Sequence, residues 1–222
     1  MWKSIVYKEW LKIRWFLIAF TGLGILAIGN IFLSVQHDFT FNEANNYWYN
    51  IIFRGVKYFG NFKYIPIAGA LVIAIAQYFP ETVNKRIKLT YHLPINENKA
   101  LIQMMLFGAF CLFATYILLF FMFLGFSSFY FPKEIIMEAI TTILPWFLAG
   151  FTAYFLVALI VLEPAWKFRF LYFLVAAAFV PLFFESAKIG GFAPINPVLV
   201  ILALIVSISL LFSGYRFRKG EM

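Results

Sequence analysis

Residues 80–100 read PETVNKRIKLTYHLPINENKA, and this polar segment lies between two hydrophobic runs of a strongly apolar chain. Pro94 disfavours a helical conformation at Leu93, and Asn96 can cap a helix that follows it. The pattern predicts a span that leaves the bilayer, a short charged helix, a proline corner and a span that returns. The charged residues of the polar segment are Glu81, Lys85, Arg86, Lys88, Glu97 and Lys99.

The composition indicates a membrane protein. Hydrophobic residues make up 64% of the chain and aromatic residues 22%, against about 45–50% apolar residues in a soluble domain. We therefore expect an all-α polytopic membrane protein with a single transmembrane domain over residues 1–222. The formal net charge of +8 arises from short basic clusters at the ends of apolar runs. Such clusters are typical of topology signals and not of a nucleic-acid-binding surface.

Residues 1–14, MWKSIVYKEWLKIR, have apolar side chains on one stripe at helical spacing and most of their basic side chains away from it. This predicts an amphipathic helix that lies in the membrane interface. Glu9, which follows Lys8, falls within the apolar stripe. A buried carboxylate requires a partner, so we expect Glu9 to pair with a basic group. The alternative is that the helix tilts and Glu9 reaches water.

Six apolar runs are candidates for transmembrane helices. The second is short for a full crossing, so it should begin in the aromatic segment that precedes it. Pro181 is expected to kink or end the fifth. Residues 185–197 are rich in glycine and proline and predict a broken or re-entrant element before the last span. The six runs cover about residues 15–35, 64–79, 101–126, 141–162, 170–184 and 198–212.

Two of the connections between these runs are predicted as loops. Residues 36–63 are polar and aromatic, a mixture that suits the interface belt of a membrane. Their aromatic side chains are interpreted as anchors at headgroup depth, with substrate contact as the alternative, and part of the stretch around Trp48 has helical spacing. Residues 127–140 are predicted as a short loop, which would place Pro145 near the start of the fourth span.

The basic residues are distributed unevenly between the two sides of this topology. Because lysine and arginine are enriched in cytoplasmic loops, both termini and the polar segment are predicted to be cytoplasmic. The opposite side holds Arg54, Lys57, Lys63, Lys133 and Lys188. The cytoplasmic side holds Lys3, Lys8, Lys12, Arg14, Lys85, Arg86, Lys88, Lys99, Lys167, Arg169, Arg216, Arg218 and Lys219.

The sequence contains no motif for nucleotide or metal chemistry. It has no G-x-x-x-x-G-K-[ST] phosphate loop, no HExxH motif and no cluster of cysteine and histidine. The two histidines, His37 and His92, fall on opposite sides of the predicted membrane. We therefore expect neither an enzyme nor a cofactor or metal site in this chain.

The centres of the predicted spans lack ionisable residues, which are the usual mark of an ion pathway. Three amides, Asn30, Gln77 and Gln103, lie in or near the spans. They are candidates for polar residues of a transport pathway. For Asn30 the alternative is a hydrogen bond to another helix. Energy for any uphill transport is expected to enter from outside the chain.

Together these features resemble the type-two exporter permeases of ATP-binding-cassette (ABC) transporters. The shared features are an amphipathic first helix with Lys8 and Glu9, six spans, cytoplasmic termini and a broken element before the last span. In that family the segment after the second span has a glutamate followed by leucines and a Leu-Pro-aliphatic sequence. Asn96 stands where a serine is usual, and Glu97 where a basic residue is usual. The matching residues are Glu81, Leu89, Leu93, Pro94 and Ile95.

The resemblance implies a transmembrane permease subunit in the cytoplasmic (inner) membrane of a bacterium. It implies pairing with a second permease, identical or homologous, and with a separate ATPase subunit that binds ATP and Mg²⁺. The polar segment would act as a coupling helix, in which Glu81, Lys85 and Arg86 make charged contacts. Leu89, Leu93 and Ile95 would enter a groove of the ATPase, next to Pro94 and Asn96. The many phenylalanines suggest an apolar or amphipathic substrate such as a lipid, peptide or drug.

A second hypothesis is a membrane scaffold that transports nothing and recruits a cytoplasmic protein through the polar segment. A third alternative is that the charged residues of the polar segment contact no partner. They would then form only the solvated face of a cytoplasmic loop, as the positive-inside rule leads one to expect. Substitution of Glu81 and Arg86 separates the first two hypotheses, because only a permease should lose coupled ATPase activity or transport.

Overall fold

The computed structural model describes residues 2–41, 44–83, 97–184 and 194–219, and every regular element in these ranges is helical. Two 3₁₀ segments, Gly60–Lys63 and Val180–Phe184, adjoin longer helices. The α-helices are α1 (Trp2–Phe41), α2 (Ala44–Arg54), α3 (Tyr64–Thr82), α4 (Glu97–Tyr130), α5 (Lys133–Leu162), α6 (Trp166–Phe179) and α7 (Asn196–Lys219).

Five segments of the described chain are long and apolar enough to cross a membrane. They make the protein a multi-pass helical membrane protein in architecture. A shorter apolar helix, Asn196–Ser209, lies within α7. The five segments are Lys3–Phe41, Gly60–Thr82, Lys99–Tyr130, Lys133–Leu162 and Trp166–Phe184.

Helix α5 is the centre of the bundle, where it packs against α3, α4, α6 and α7. Helix α1 lies on the other side of α3 and α4 and packs against both. The outermost helix is α6, which has no buried side chain. The α-helix of α6 ends at Phe179 and gives way to a 3₁₀ segment at Pro181, which confirms that this proline ends the helix.

The helices alternate in direction. Lys12, near the start of α1, contacts Glu81, near the end of α3, so α1 and α3 are antiparallel. Gln77 of α3 donates to the carbonyl of Met104, near the start of α4. We call this end of the bundle the basal end and the opposite one the distal end. The directions agree with a chain that crosses repeatedly, while the six-span count and the cytoplasmic side stay predictions.

Helix α1 is a single element of 40 residues. The predicted boundary at Arg14, between an interfacial helix and the first span, is therefore wrong. No glycine or proline interrupts the first twenty residues, and the buried stripe of Ile13, Leu17 and Phe20 continues through the expected break. At about 1.5 Å per residue, α1 is about 60 Å long, against about 40–45 Å for a bilayer with its headgroups.

The predicted loop over residues 127–140 is also wrong. Helix α4 continues to Tyr130 and α5 begins at Lys133, so Pro145 lies well inside α5. A proline removes the N–H that would bond the carbonyl four residues earlier, here that of Thr141. The side-chain amide of Asn196 lies 3.5 Å from this carbonyl oxygen. The contact places the start of α7 beside the start of α5, so that α7 runs toward the basal end.

The aromatic stretch before α3 enters the core instead of serving only as an interfacial anchor. Phe59 and Phe62 are fully buried. Tyr58 stacks on Phe131 with ring centroids 4.3 Å apart, and burial raises its pKa to about 12. Its hydroxyl lies 3.3 Å from Oγ of Ser127. These contacts close the distal end of the bundle around the connection into α3.

Helices α3 and α5 approach closely because small residues line their contact, as is common between helices in membranes. Ala70 and Ala74 of α3 and Ala153 of α5 are buried there. At Gly150 a side chain would collide with the hydroxyl of Tyr116, which donates a hydrogen bond of 2.7 Å to the carbonyl of Pro66. Gly150 therefore keeps the space that lets α3, α4 and α5 meet.

We predict that Gly150→Ala lowers the stability of the bundle by about 1–3 kcal/mol, the usual range for overpacking a tight core. The added methyl would displace the Tyr116 hydroxyl and lie 3.0 Å from the Pro66 carbonyl oxygen. The measurement is thermal unfolding of the purified chain in a mild detergent.

The matched control is Gly125→Ala on α4, where nothing lies within 4 Å of an added Cβ. It should be neutral or slightly stabilising, because alanine favours a helix over glycine by about 0.5–1 kcal/mol. Equal melting temperatures for the two variants would contradict the proposed close contact.

Candidate functional site at the base of the bundle

Glu81 marks the point where α3 ends and the polar segment begins. Helix α3 ends at Thr82, and Val83 is already extended at φ −63° and ψ 130°. The residue is 2% exposed, although it is the penultimate residue of an apolar helix. Its position on the buried face of α3 turns its carboxylate toward the start of α1.

Four charged side chains, which we call the ion cluster, meet at this point: Lys8, Glu9 and Lys12 of α1 and Glu81 of α3. The ammonium Nζ of Lys12 lies 2.6 Å from Oε1 of Glu9 and 2.5 Å from Oε1 of Glu81. The Nζ atom of Lys8 lies 2.8 Å from the same Glu81 oxygen and 4.0 Å from Oε1 of Glu9. Lys12 therefore bridges two helices.

The four side chains of the ion cluster differ in their exposure to solvent. The side chain of Glu9 is fully buried and that of Glu81 is 3% exposed, whereas Lys12 is 15% and Lys8 41% exposed. Two carboxylates side by side repel each other, so neither is stable at this depth without the two ammonium groups. The carboxylates thus lie inside, and the lysine stems extend from them toward the surface.

The prediction that Glu9 pairs with a basic group is confirmed, and the alternative that it reaches water is wrong. Lys8, predicted with it, belongs to the same cluster. The part played by Lys12 and the ion pairs of Lys8 and Lys12 with Glu81 were not predicted. Lys12 and Glu81 are 69 positions apart, and the sequence gives no signal for a contact across that distance.

Most of the predicted coupling residues lie outside the described residues, so their roles stay predictions. Glu81 is among the described residues, and its carboxylate forms ion pairs with two lysines of the same chain. Contact between Glu81 and a partner protein stays a prediction. Beyond the gap, α4 begins at Glu97, Lys99 is exposed and Ala100 is buried. The residues outside the described ranges are Lys85, Arg86, Leu89, Leu93, Pro94, Ile95 and Asn96.

Gln77, one of the predicted pathway amides, joins three helices one turn above the ion cluster. Its Nε2 donates to the carbonyl oxygen of Met104 at 2.7 Å, and its Oε1 accepts from the hydroxyl of Tyr154 at 2.7 Å. The hydroxyls of Tyr78 and Tyr154 are 3.2 Å apart. Gly108 leaves room for this network, since a Cβ there would collide with both Gln77 and Tyr154.

The three amides predicted as pathway residues do not share one surface. Gln77 is fully buried between helices, where it has a packing role. Asn30 is exposed on α1, and Gln103 is half-buried on α4. Their contribution to a pathway stays a prediction. The network partners Tyr78 and Tyr154 were missed, and their only signal is a phenol within an apolar run.

In the part of the chain that the structure describes, no three side chains of His, Cys, Asp or Glu are grouped as metal ligands. Comparison of the chain with known proteins gives no relative in which this site could be examined. No family model, no curated protein and no solved structure matches the chain.

We predict that Lys12→Met destabilises the protein by about 3 kcal/mol, because it leaves two buried carboxylates with Lys8 as their remaining ammonium partner in the ion cluster. The triple variant Glu9→Gln, Lys12→Met, Glu81→Gln should recover most of the loss, because it removes the unpaired charges together. Thermal unfolding of the full chain in detergent measures both effects.

Lys3→Met is the matched control, because Lys3 is exposed on the same helix. It should unfold at the wild-type temperature. If Lys12→Met also does so, or if the triple variant is no more stable than the single one, the ion cluster does not hold α1 to α3.

Proposed function

We propose that the chain is the transmembrane permease subunit of an ABC transporter, an exporter that moves an apolar or amphipathic substrate such as a lipid, peptide or drug. ATP would be hydrolysed by a separate nucleotide-binding subunit. The observation that supports this best is the ion cluster. It fastens the point where the polar segment leaves α3 to the start of α1, and so provides a stiff link between that segment and two membrane helices.

The link suits the transmission of force. A coupling element that met α3 alone would bend the end of one helix, whereas Lys12 bonds Glu9 and Glu81 at once. A displacement of the polar segment would therefore move α1 and α3 together. One turn further on, Gln77 connects α3 to α4 and α5. Two hydrogen-bonded layers thus connect the segment to four helices of the bundle, α1, α3, α4 and α5.

In this proposal the ATP and Mg²⁺ sites belong to the partner ATPase, since the chain has no phosphate loop. Lys85 and Arg86 make charged contacts with it, and Leu89, Leu93 and Ile95 enter its groove. Glu81, also expected to contact the ATPase, has a second part in this proposal: its buried carboxylate anchors the segment to α1. A second permease, identical or homologous, completes the pathway in a bacterial cytoplasmic membrane.

The exposed Asn30 supports a partner within the membrane. It lies on the outer surface of α1, between apolar positions at Leu26 and Leu33 that are also exposed. A polar amide is costly against lipid and favourable in a hydrogen bond to another helix. We place the second permease against this face of α1.

The alternative function is a membrane scaffold that recruits a cytoplasmic protein through the polar segment without transporting anything. The ion cluster would then only fix the shape of the docking site. The two functions differ in one outcome, which is whether recruitment changes ATP hydrolysis.

We predict that the tagged chain, purified gently from its native host, retains a nucleotide-binding subunit in stoichiometric amount and ATPase activity with it. The double variant Lys85→Ala, Arg86→Ala should release this subunit, because both charged contacts are lost. Mass spectrometry and an ATPase assay on the purified complex measure the two effects.

The control is Lys133→Ala, an exposed lysine at the distal end, which should keep the subunit and its activity. Lys12→Met provides a second arm: the subunit should stay bound while ATP hydrolysis loses its response to substrate. A chain that purifies with a partner other than an ATPase would overturn the permease and favour the scaffold.

A further inference from the structure

A lateral groove of about 430 Å³ lies between α4, α5 and α7 in the basal half of the bundle. Its walls are almost wholly apolar. The wall from α4 is well exposed, with Leu106 at 52%, Phe110 at 67% and Phe113 at 50%. Phe155 of α5 and Leu204 of α7 face it across the groove.

The exposed wall of α4 continues into polar residues at its basal end. Positions 99, 103, 106, 110 and 113 are separated by four, three, four and three residues, so they share one face of the helix. The first of them is the exposed Lys99 and the second is the half-buried Gln103. A cation thus lies at the mouth of an apolar stripe.

The length of this stripe matches one leaflet of a membrane. The fourteen-residue separation from Lys99 to Phe113 corresponds to about 21 Å of helix. Half of a bilayer with its headgroups is about 20–22 Å thick. With the ammonium group at headgroup depth, the phenylalanines reach the middle of the bilayer.

We propose that this groove binds an anionic phospholipid, with one acyl chain between α4, α5 and α7 and the phosphate at Lys99. Charge selects the occupant: a zwitterionic lipid fills the apolar groove equally well, but the cation of its headgroup offsets the attraction of its phosphate to Lys99. A second copy of the chain would have to bury that ammonium against a carboxylate. The proposal does not depend on the transport function.

The test is native mass spectrometry of the full-length chain in detergent, titrated with phosphatidylglycerol or with phosphatidylcholine of the same acyl chains. We expect the tightest bound lipid to be phosphatidylglycerol. Lys99→Gln should lower its preference over phosphatidylcholine about fivefold, the value of one lysine near an anionic headgroup. Ala109→Trp, which fills the groove, should reduce retention of both lipids.

Two controls match these variants. Lys133→Gln removes an exposed lysine at the distal end, and Leu118→Trp adds a ring at an exposed α4 position outside the groove; both should bind lipid as the wild type does. Equal retention of the two lipids by the wild type, or an unchanged preference in Lys99→Gln, would overturn the proposal. The proposal would also be overturned if the wild type formed a dimer and Ala109→Trp dissociated it, because the groove would then be an interface between copies of the chain.

Discussion

The structure depends on two carboxylates that cannot be buried alone. Glu9 and Glu81 lie deep at the base of the bundle, and Lys12 is the cation that approaches both within 2.6 Å. The ion pairs among these side chains fix the register of α1 against α3. They also fix the depth of both helices and the point where the polar segment leaves α3. Apolar packing alone would leave the register free to slide, because lipid and protein interior are nearly equivalent for a leucine.

The same constraint explains the order of the layers above the cluster. Gln77 is one turn from Glu81, and its amide is satisfied on both sides by Met104 and Tyr154. Small residues then let α3 and α5 approach, and Gly150 admits the Tyr116 hydroxyl. Directional bonds therefore alternate with close backbone contact along α3. This alternation gives a mostly apolar bundle a single arrangement.

Local pattern predicted the helical, multi-pass architecture, the end of α6 at Pro181 and the pairing of Glu9. Each of these follows from neighbours a few residues apart. The boundaries at residues 14 and 127–140 were wrong, because charged and polar residues at the ends of long helices look like loops when the helix extends past the bilayer. The burial of Phe59 and the pairing of Lys12 with Glu81 depend on distant contacts. Composition cannot distinguish a phenylalanine that faces lipid from one in the core.

The length of α1 has a consequence for both sides of the membrane. A 40-residue helix exceeds the bilayer, so it either projects into water or tilts strongly. Its basal end carries the ion cluster, and Phe32 and Phe39 near its distal end belong to the aromatic contacts that close the bundle. One continuous helix therefore joins the ion cluster at the basal end to the aromatic contacts at the distal end. A displacement at one end of the bundle can reach the other along a single element, with no loop between them.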